Sequence, residues 1–270
     1  MYNDLFSIGP VTIHSYGVMI AIGVACALIM GARRAKARNM STDAIWDLGL
    51  LVLISGFLGA KLLFCIVEWD RLFRDPLAVL SGSGFVVYGG IIAGIIAALI
   101  YCRKKKLSFL KYFDLIIPSV AVAQGFGRIG CFLAGCCYGC ETNLPIGIIF
   151  HNSAIAPNGV SLFPSQLFSS GGDFLIALIL ILYARKDRST GKVGGLYLIL
   201  YSVGRFAIEF FRSDYRGSVG FLSTSQFVAI FMLAVGILIF WMDRLQWIEK
   251  IRNSALIRKI RSQKTHSDNA

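Results

Sequence analysis

Lysine and arginine are concentrated in every second gap between the apolar runs of this chain, with only Arg71, Arg74, Arg212 and Arg216 in the other gaps, and that alternation leaves few folds open to it. Twenty of the 27 basic residues fall in four clusters: Arg33, Arg34, Lys36 and Arg38; Arg103 to Lys106 with Lys111; Arg185, Lys186, Arg188 and Lys192; and seven from Arg244 to Lys264. The runs between them are long enough to cross a bilayer, which takes roughly 20 residues at helical rise. Seven spans are predicted, at about Ile13–Ala32, Ile45–Val67, Phe85–Cys102, Tyr112–Gly130, Phe168–Ala184, Val193–Phe211 and Phe221–Met242. The fifth is the weakest apolar run, with Gly171, Gly172 and Asp173 inside it, but without it the alternation fails. Basic connections stay on the cytoplasmic side. The N-terminus is therefore expected outside and the C-terminus in the cytoplasm.

Hydrophobic residues make up 56% of the chain and charged residues only 16%, against about a quarter in ordinary soluble domains. The expected class is an all-α polytopic membrane protein, one membrane domain over residues 1–270, with a basic cytoplasmic tail over 243–270. A cleavable signal peptide is not expected, because the first basic cluster follows its apolar run. The net charge of +12 then belongs to clusters facing anionic membrane lipids, and no nucleic-acid partner is needed to explain it.

Against this background two intramembrane arginines stand out. Arg128 lies at the far end of span four, within Gly125-Phe126-Gly127-Arg128-Ile129-Gly130. A charge at that depth costs a few kcal/mol even on lenient insertion scales, so it either has a task or snorkels to headgroups. Gly127 and Gly130 strip bulk from its surroundings and let a ligand or a second backbone approach. Arg205 lies in span six, four residues before Glu209, so the two share a helix face and can pair. Arginine forks match phosphate geometry, and phosphates lie at the membrane boundary. Lys61, inside span two, either snorkels or pairs with an acid.

Other features are less specific. His14 and Tyr16 sit at the edge of span one, where such rings also serve as anchors. Tyr88 precedes Gly89 and Gly90, and Gly90 with Gly94 makes a GxxxG pair suited to helix packing. Residues Cys131–Ser170 contain no Lys or Arg and many turn formers, so a small irregular extracytoplasmic head is expected between spans four and five. Of seven cysteines, Cys26, Cys65 and Cys102 read as buried hydrophobes, and Cys131, Cys136, Cys137 and Cys140 cluster. That spacing fits no standard zinc pattern; a Cys137–Cys140 disulfide or thiols lining a cavity are the readings left, and no metal is assigned.

In order along the chain these residues resemble the prolipoprotein diacylglyceryl transferase family. The likeness runs through Ile8-Gly9-Pro10, His14, Tyr16-Gly17, Asp75-Pro76-Leu77, Gly89-Gly90, the stretch from Gly127, Pro164-Ser165-Gln166-Leu167, and Gly194 to Arg212 with Arg205 and Glu209. The family signature Gly-Arg-x-Gly-Asn-Phe-x-Asn-x-Glu-x-x-Gly is met by Gly127, Arg128, Gly130, Phe132 and Gly139. Cys131 and Ala134 replace its asparagines, Cys136 its glutamate, and Tyr88 stands where the family has histidine. The resemblance implies transfer of the diacylglyceryl group of phosphatidylglycerol to the lipobox cysteine of prolipoproteins, in a bacterial plasma membrane and without a cofactor. Arg128, Arg205, Tyr88 and Glu209 would be catalytic. His14, Tyr16, Gly89, Gly90, Gly127, Gly130, Gly139 and Gln166 would bind substrate. The departures leave a second reading, a divergent member using another lipid or acceptor. A transporter finds no support in an inverted repeat, and a thiol-redox protein rests on the cysteine cluster alone. The topology has a direct check: in intact cells a membrane-impermeant amine reagent leaves Lys264 unmodified, and labelling from outside would contradict it.

Overall fold

The computed structural model describes residues 4–8, 11–82, 84–214 and 217–243. Gly9, Pro10, Arg216 and the expected basic tail from residue 244 onward lie outside the described residues. The chain opens on an antiparallel hairpin, β1 (Asp4–Ile8) with β2 (Val11–His14), in which Asp4 faces His14. Because His14 ends a strand, the first helix begins at Ser15 rather than at the expected Ile13.

The helices that follow are α1 (Ser15–Ala37), α2 (Asp43–Val67), α3 (Trp69–Arg74), α4 (Pro76–Ser81), α5 (Val87–Lys104), α6 (Phe109–Ala134), α7 (Ser165–Tyr183), α8 (Lys192–Glu209) and α9 (Thr224–Asp243). Six of them, α1, α2, α5, α6, α7 and α9, are long and apolar enough to cross a membrane. Among the expected spans, α8 is set apart by its charges, Lys192, Arg205 and Glu209. The surface agrees with a lipid environment. On α2, Leu50, Phe57 and Leu62 are each more than 60% exposed, an apolar face that water would not tolerate at this density.

The chain divides into two compact units, one of residues 1–23 and 120–270 and the other of residues 24–119. In the second, α2 and α5 cross at small residues. A Cβ at Gly89 would meet the Gly59 carbonyl and lie 2.5 Å from Leu63 Cβ, and one at Gly90 would lie 2.7 Å from the Gly56 carbonyl oxygen. The tight crossing thus uses Gly89 and Gly90 against Gly56 and Gly59, whereas Gly94 meets only Val52. The buried cluster of this unit joins Ala35, Ile45, Leu48, Ala98, Cys102 and Leu115. Among the described residues Lys61 pairs with no acid: its Nζ donates to the carbonyl of Gly82 at 2.7 Å and stands over the Phe64 and Phe85 rings. It therefore ties the 82–86 connection to α2, satisfying carbonyls that would otherwise be orphaned.

In the first unit, α6 meets α7 through Phe126 on Phe174 and through Ser170 Oγ donating to the Gly125 carbonyl at 2.9 Å. Tyr197 OH donates to Gln124 Oε1 at 2.8 Å and ties α8 to α6. Gly195 and Gly236 bring α8 against α9 at backbone distance. A reciprocal capping box starts α9: Gln226 N–H donates to Ser223 Oγ, and Ser223 N–H to Gln226 Oε1.

Between α6 and α7 the chain is irregular over 135–164, shorter than the expected 131–170 because both helices run further. Phe150, Ala156 and Leu162 form its small core, and β3 (Ile148–Ile149) pairs with β4 (Ser161–Leu162). Ser153 and Asn158 close its turn, with the Asn158 side chain accepting from Ser153 N–H and donating to the Ser153 carbonyl.

The α2–α5 crossing gives a stability prediction. Gly89→Ala forces backbone apart and should cost about 1–3 kcal/mol. Gly171→Ala, which meets nothing within 4 Å, should be neutral or mildly stabilising. Thermal midpoints in detergent check the contrast.

Candidate functional site

The site belongs to the first unit and is built where the end of α6, the start of α7, the end of α8 and the start of α9 meet. Arg205 is the braced arginine. Its Nη2 donates to Ser225 Oγ at 2.6 Å, and its Nη1 lies 2.8 Å from Glu209 Oε2, an ionic approach without hydrogen-bond alignment. Arg212 extends the chain of charge. Its Nε lies 3.9 Å from the same Glu209 oxygen, and its guanidinium makes a two-pronged contact with Asp214 at 2.9 and 2.7 Å. Their side chains are buried: 12% exposed for Arg205, 8% for Glu209 and 2% for Arg212. The i,i+4 pairing expected of Arg205 and Glu209 is met, and Arg212 with Asp214 completes it.

Arg128 differs. It makes no hydrogen bond or close ion pair with any described residue. Its electrostatic neighbours are Tyr201, Cys131, Asp173 and Cys137, with Tyr16 and Arg205 also in range. Asp173, 7% exposed, lies in range of both Arg128 and Arg205 and is the carboxylate that offsets them. Tyr201 stacks on Tyr197 at 5.6 Å, which fixes its ring beside Arg128. The glycines open the space: a Cβ at Gly130 would lie 3.1 Å from the Tyr16 ring, and at Gly127 nothing comes within 4 Å.

The segment after α6 is laced to the same end. Gly139 N–H donates to the Phe163 carbonyl, Cys140 N–H to the Phe211 carbonyl, and Phe163 N–H to the Cys140 carbonyl. A side chain at Gly139 would collide with the Phe163 and Phe211 carbonyls, so that position requires glycine. Gln166 Nε2 donates to the Cys136 carbonyl and Ser165 Oγ to the Cys137 carbonyl, each at 2.8 Å. Gln166 is 1% exposed and its Oε1 is buried without a hydrogen-bond partner among the described residues. It therefore positions the loop through one end of its amide.

Of the two readings left for the clustered cysteines, the disulfide is not formed and the thiol reading holds. None of the seven forms a disulfide. The sulfurs that converge are those of Cys131, Cys136 and Cys137, all within 4.8 Å of one another, and Cys140 is not among them. The backbone of Cys140 is pinned by Phe211 and Phe163, while Gly135 and Cys137 take positive φ and turn the chain back toward Cys131. Hydrogen bonding with Cys131 and Cys137, together with burial, holds the Cys136 thiol well above the usual cysteine range, so it stays neutral.

Of the other residues singled out in the sequence, His14 is exposed at the end of β2, and Tyr16 opens α1 beside Gly130. Tyr88, Gly89 and Gly90 belong to the second unit, where the two glycines pack α5 on α2. Asp173 went unnoticed as a site residue because in sequence it reads only as a flaw in an apolar run.

An arginine with an open guanidinium, next to a second arginine paired with a buried acid, within helices apolar and long enough to cross a membrane, defines the class: a polytopic helical membrane protein with buried charge. The family whose sequence model matches the chain, over residues 3–242, is described as prolipoprotein diacylglyceryl transferase. Curated relatives agree. The phosphatidylglycerol–prolipoprotein diacylglyceryl transferase of Clostridium tetani is 48% identical over 241 residues, 89% of this chain and 97% of that one. The Clostridium perfringens protein of that name numbered 2 is 47% identical, covering 87% of this chain and 92% of its own, and the Finegoldia magna protein is 35% identical with the same shares. The chain belongs to the prolipoprotein diacylglyceryl transferase family.

The buried charge chain has a measurable consequence. Glu209→Ala leaves Arg205 buried without its acid and should cost about 3 kcal/mol, whereas Glu141→Ala at an exposed loop position should stay within about 0.5 kcal/mol. Chemical or thermal unfolding in detergent checks the difference.

Proposed function

We propose that this protein transfers the diacylglyceryl group of phosphatidylglycerol to the thiol of a prolipoprotein lipobox cysteine. The observation that carries the reading is the open guanidinium of Arg128 beside the committed guanidinium of Arg205. The lipid phosphate takes the open fork, and Arg205, oriented by Glu209, faces its other side. The thiol gives up its proton to water, and the thiolate sulfur bonds to the glyceryl carbon. The carbon–oxygen bond to phosphate breaks, and glycerol phosphate leaves with that electron pair. The phosphodiester becomes a phosphomonoester of greater charge, so fixed positive groups stabilise the transition state more than the ground state. The same positive field favours the thiolate, whose unperturbed pKa is ~8.5.

Several finer points belong to the same proposal. The helix α8 is the seventh span, made tolerable in lipid because Glu209 neutralises Arg205. The 135–164 segment is an extracytoplasmic head that receives the preprotein, with the N-terminus outside and the C-terminus in the cytoplasm. On the resemblance alone, Tyr88 hydrogen-bonds the donor lipid in the histidine's place, and His14, Tyr16, Gly89 and Gly90 contribute to substrate binding. Cys131 and Cys136 line the site and take no part in turnover.

The test is incubation of purified protein with phosphatidylglycerol and a lipobox peptide, read by mass. Wild type should add one diacylglyceryl unit to the peptide, and activity should rise with pH toward the thiol's ~8.5. Arg128→Lys keeps the charge but loses the fork and should fall about a hundredfold. Tyr88→Phe should slow transfer more than Cys136→Ala. Wild-type rates in Arg128→Lys would reduce that arginine to a snorkelling anchor. Loss of transfer in Cys136→Ala with none in Tyr88→Phe would make the thiols the reactive centre.

A further inference from the structure

The proposed reaction leaves three convergent thiols without a task. Their sulfurs lie within 4.8 Å of one another, with Cys136 and Cys137 3.7 Å apart. A zinc–thiolate bond of ~2.3 Å sets the edge of a tetrahedral sulfur array at about 3.8 Å. One edge of this triangle already has that length, and the others close with shifts of about 1 Å or less. The set is also held in place. Cys131 is buried on the last turns of α6, and Gln166 and Ser165 fix the carbonyls of Cys136 and Cys137. Cys137 keeps a φ of 61°, sparsely populated for a residue with a Cβ, and such strain persists only where the surroundings over-determine it. Arg128 and Tyr16 are their charged and polar neighbours.

We propose that Cys131, Cys136 and Cys137 form a three-thiolate site for a thiophilic, closed-shell metal ion of the zinc or copper(I) class. Soft sulfur ligands select such ions over magnesium or calcium. Three protein ligands leave the fourth position of a tetrahedral ion to water or a small ligand. Binding releases the thiol protons to solvent and forms three metal–sulfur bonds with no change of oxidation state. The filled site carries net negative charge directly beside Arg128, so it competes with phosphate for that fork and inhibits transfer. This last step rests on the proposed transferase reading; the metal site itself does not.

The experiment uses the full chain, purified in detergent, reduced, stripped of metal and titrated with Cd2+ alone as a spectroscopic probe. Thiolate-to-metal charge-transfer absorption should saturate at one ion per chain. Bound Cd2+ should protect Cys131, Cys136 and Cys137 of the wild-type protein from alkylation, read by peptide mass, while Cys140 stays reactive. C131S, C136S and C137S should each weaken binding at least about tenfold, and C140S should match wild type. Absence of a saturable band, or protection spread equally to Cys140, would overturn the site without bearing on transfer activity. Zn2+ should lower transfer by wild type at concentrations that spare C137S. Full activity with the site shown to be filled would overturn the coupling to Arg128 and leave the metal site standing.

Discussion

An arginine buried among apolar helices is unstable unless something compensates it, and most of what is distinctive in this structure answers that demand. Arg205 is answered by the charge of Glu209, a hydrogen bond to Ser225 and the nearby Asp173. Arg212 is answered by Asp214 and shares Glu209. Arg128 is offset only at a distance. Removing a partner from such a network leaves a buried charge, which is far costlier than the pair is worth. The network is therefore a frame with one guanidinium left open, and the proposed function assigns the lipid phosphate to it because a guanidinium fork matches phosphate in charge and geometry.

The frame depends in turn on the segment between α6 and α7. Cys140 N–H donating to the Phe211 carbonyl, and Ser213 N–H to the Tyr138 carbonyl, fix the end of α8, which carries Glu209, against the loop that follows Arg128. Gly139 sits where two carbonyls leave no room for a side chain, and the stacked rings of Phe168, Phe163 and Phe211 seal the same junction. Loop and helix ends thus hold one another, so the spacing of the arginines is set by backbone hydrogen bonds as well as by side chains.

Much of this was legible in the sequence because it rests on local periodicity. Apolar length gave the six helices of membrane-spanning character, and a spacing of four gave the Arg205–Glu209 pair. Gly127 and Gly130 stood out because glycines beside an arginine allow close approach, and Gly139 through the family signature. What escaped depends on contacts distant in sequence. Asp173 looks like a defect until two arginines surround it. Lys61 gave no hint that its partners are carbonyls of the following connection. The cysteine spacing suggested Cys137 with Cys140, but positive φ at Gly135 and Cys137 folds the segment so that Cys131 joins the cluster instead. The β1–β2 hairpin displaced the start of α1 because strand pairing overrode an apolar run that reads equally well as helix.

In the proposed function the open guanidinium of Arg128 recognises the phosphate of the donor lipid. Native mass spectrometry of the purified protein, offered equal amounts of phosphatidylglycerol and diacylglycerol with the same acyl chains, tests it without any turnover. Wild type should retain phosphatidylglycerol over diacylglycerol, and Arg128→Ala should lose that preference. Equal retention of the two lipids by wild type, or an undiminished preference in Arg128→Ala, would contradict it.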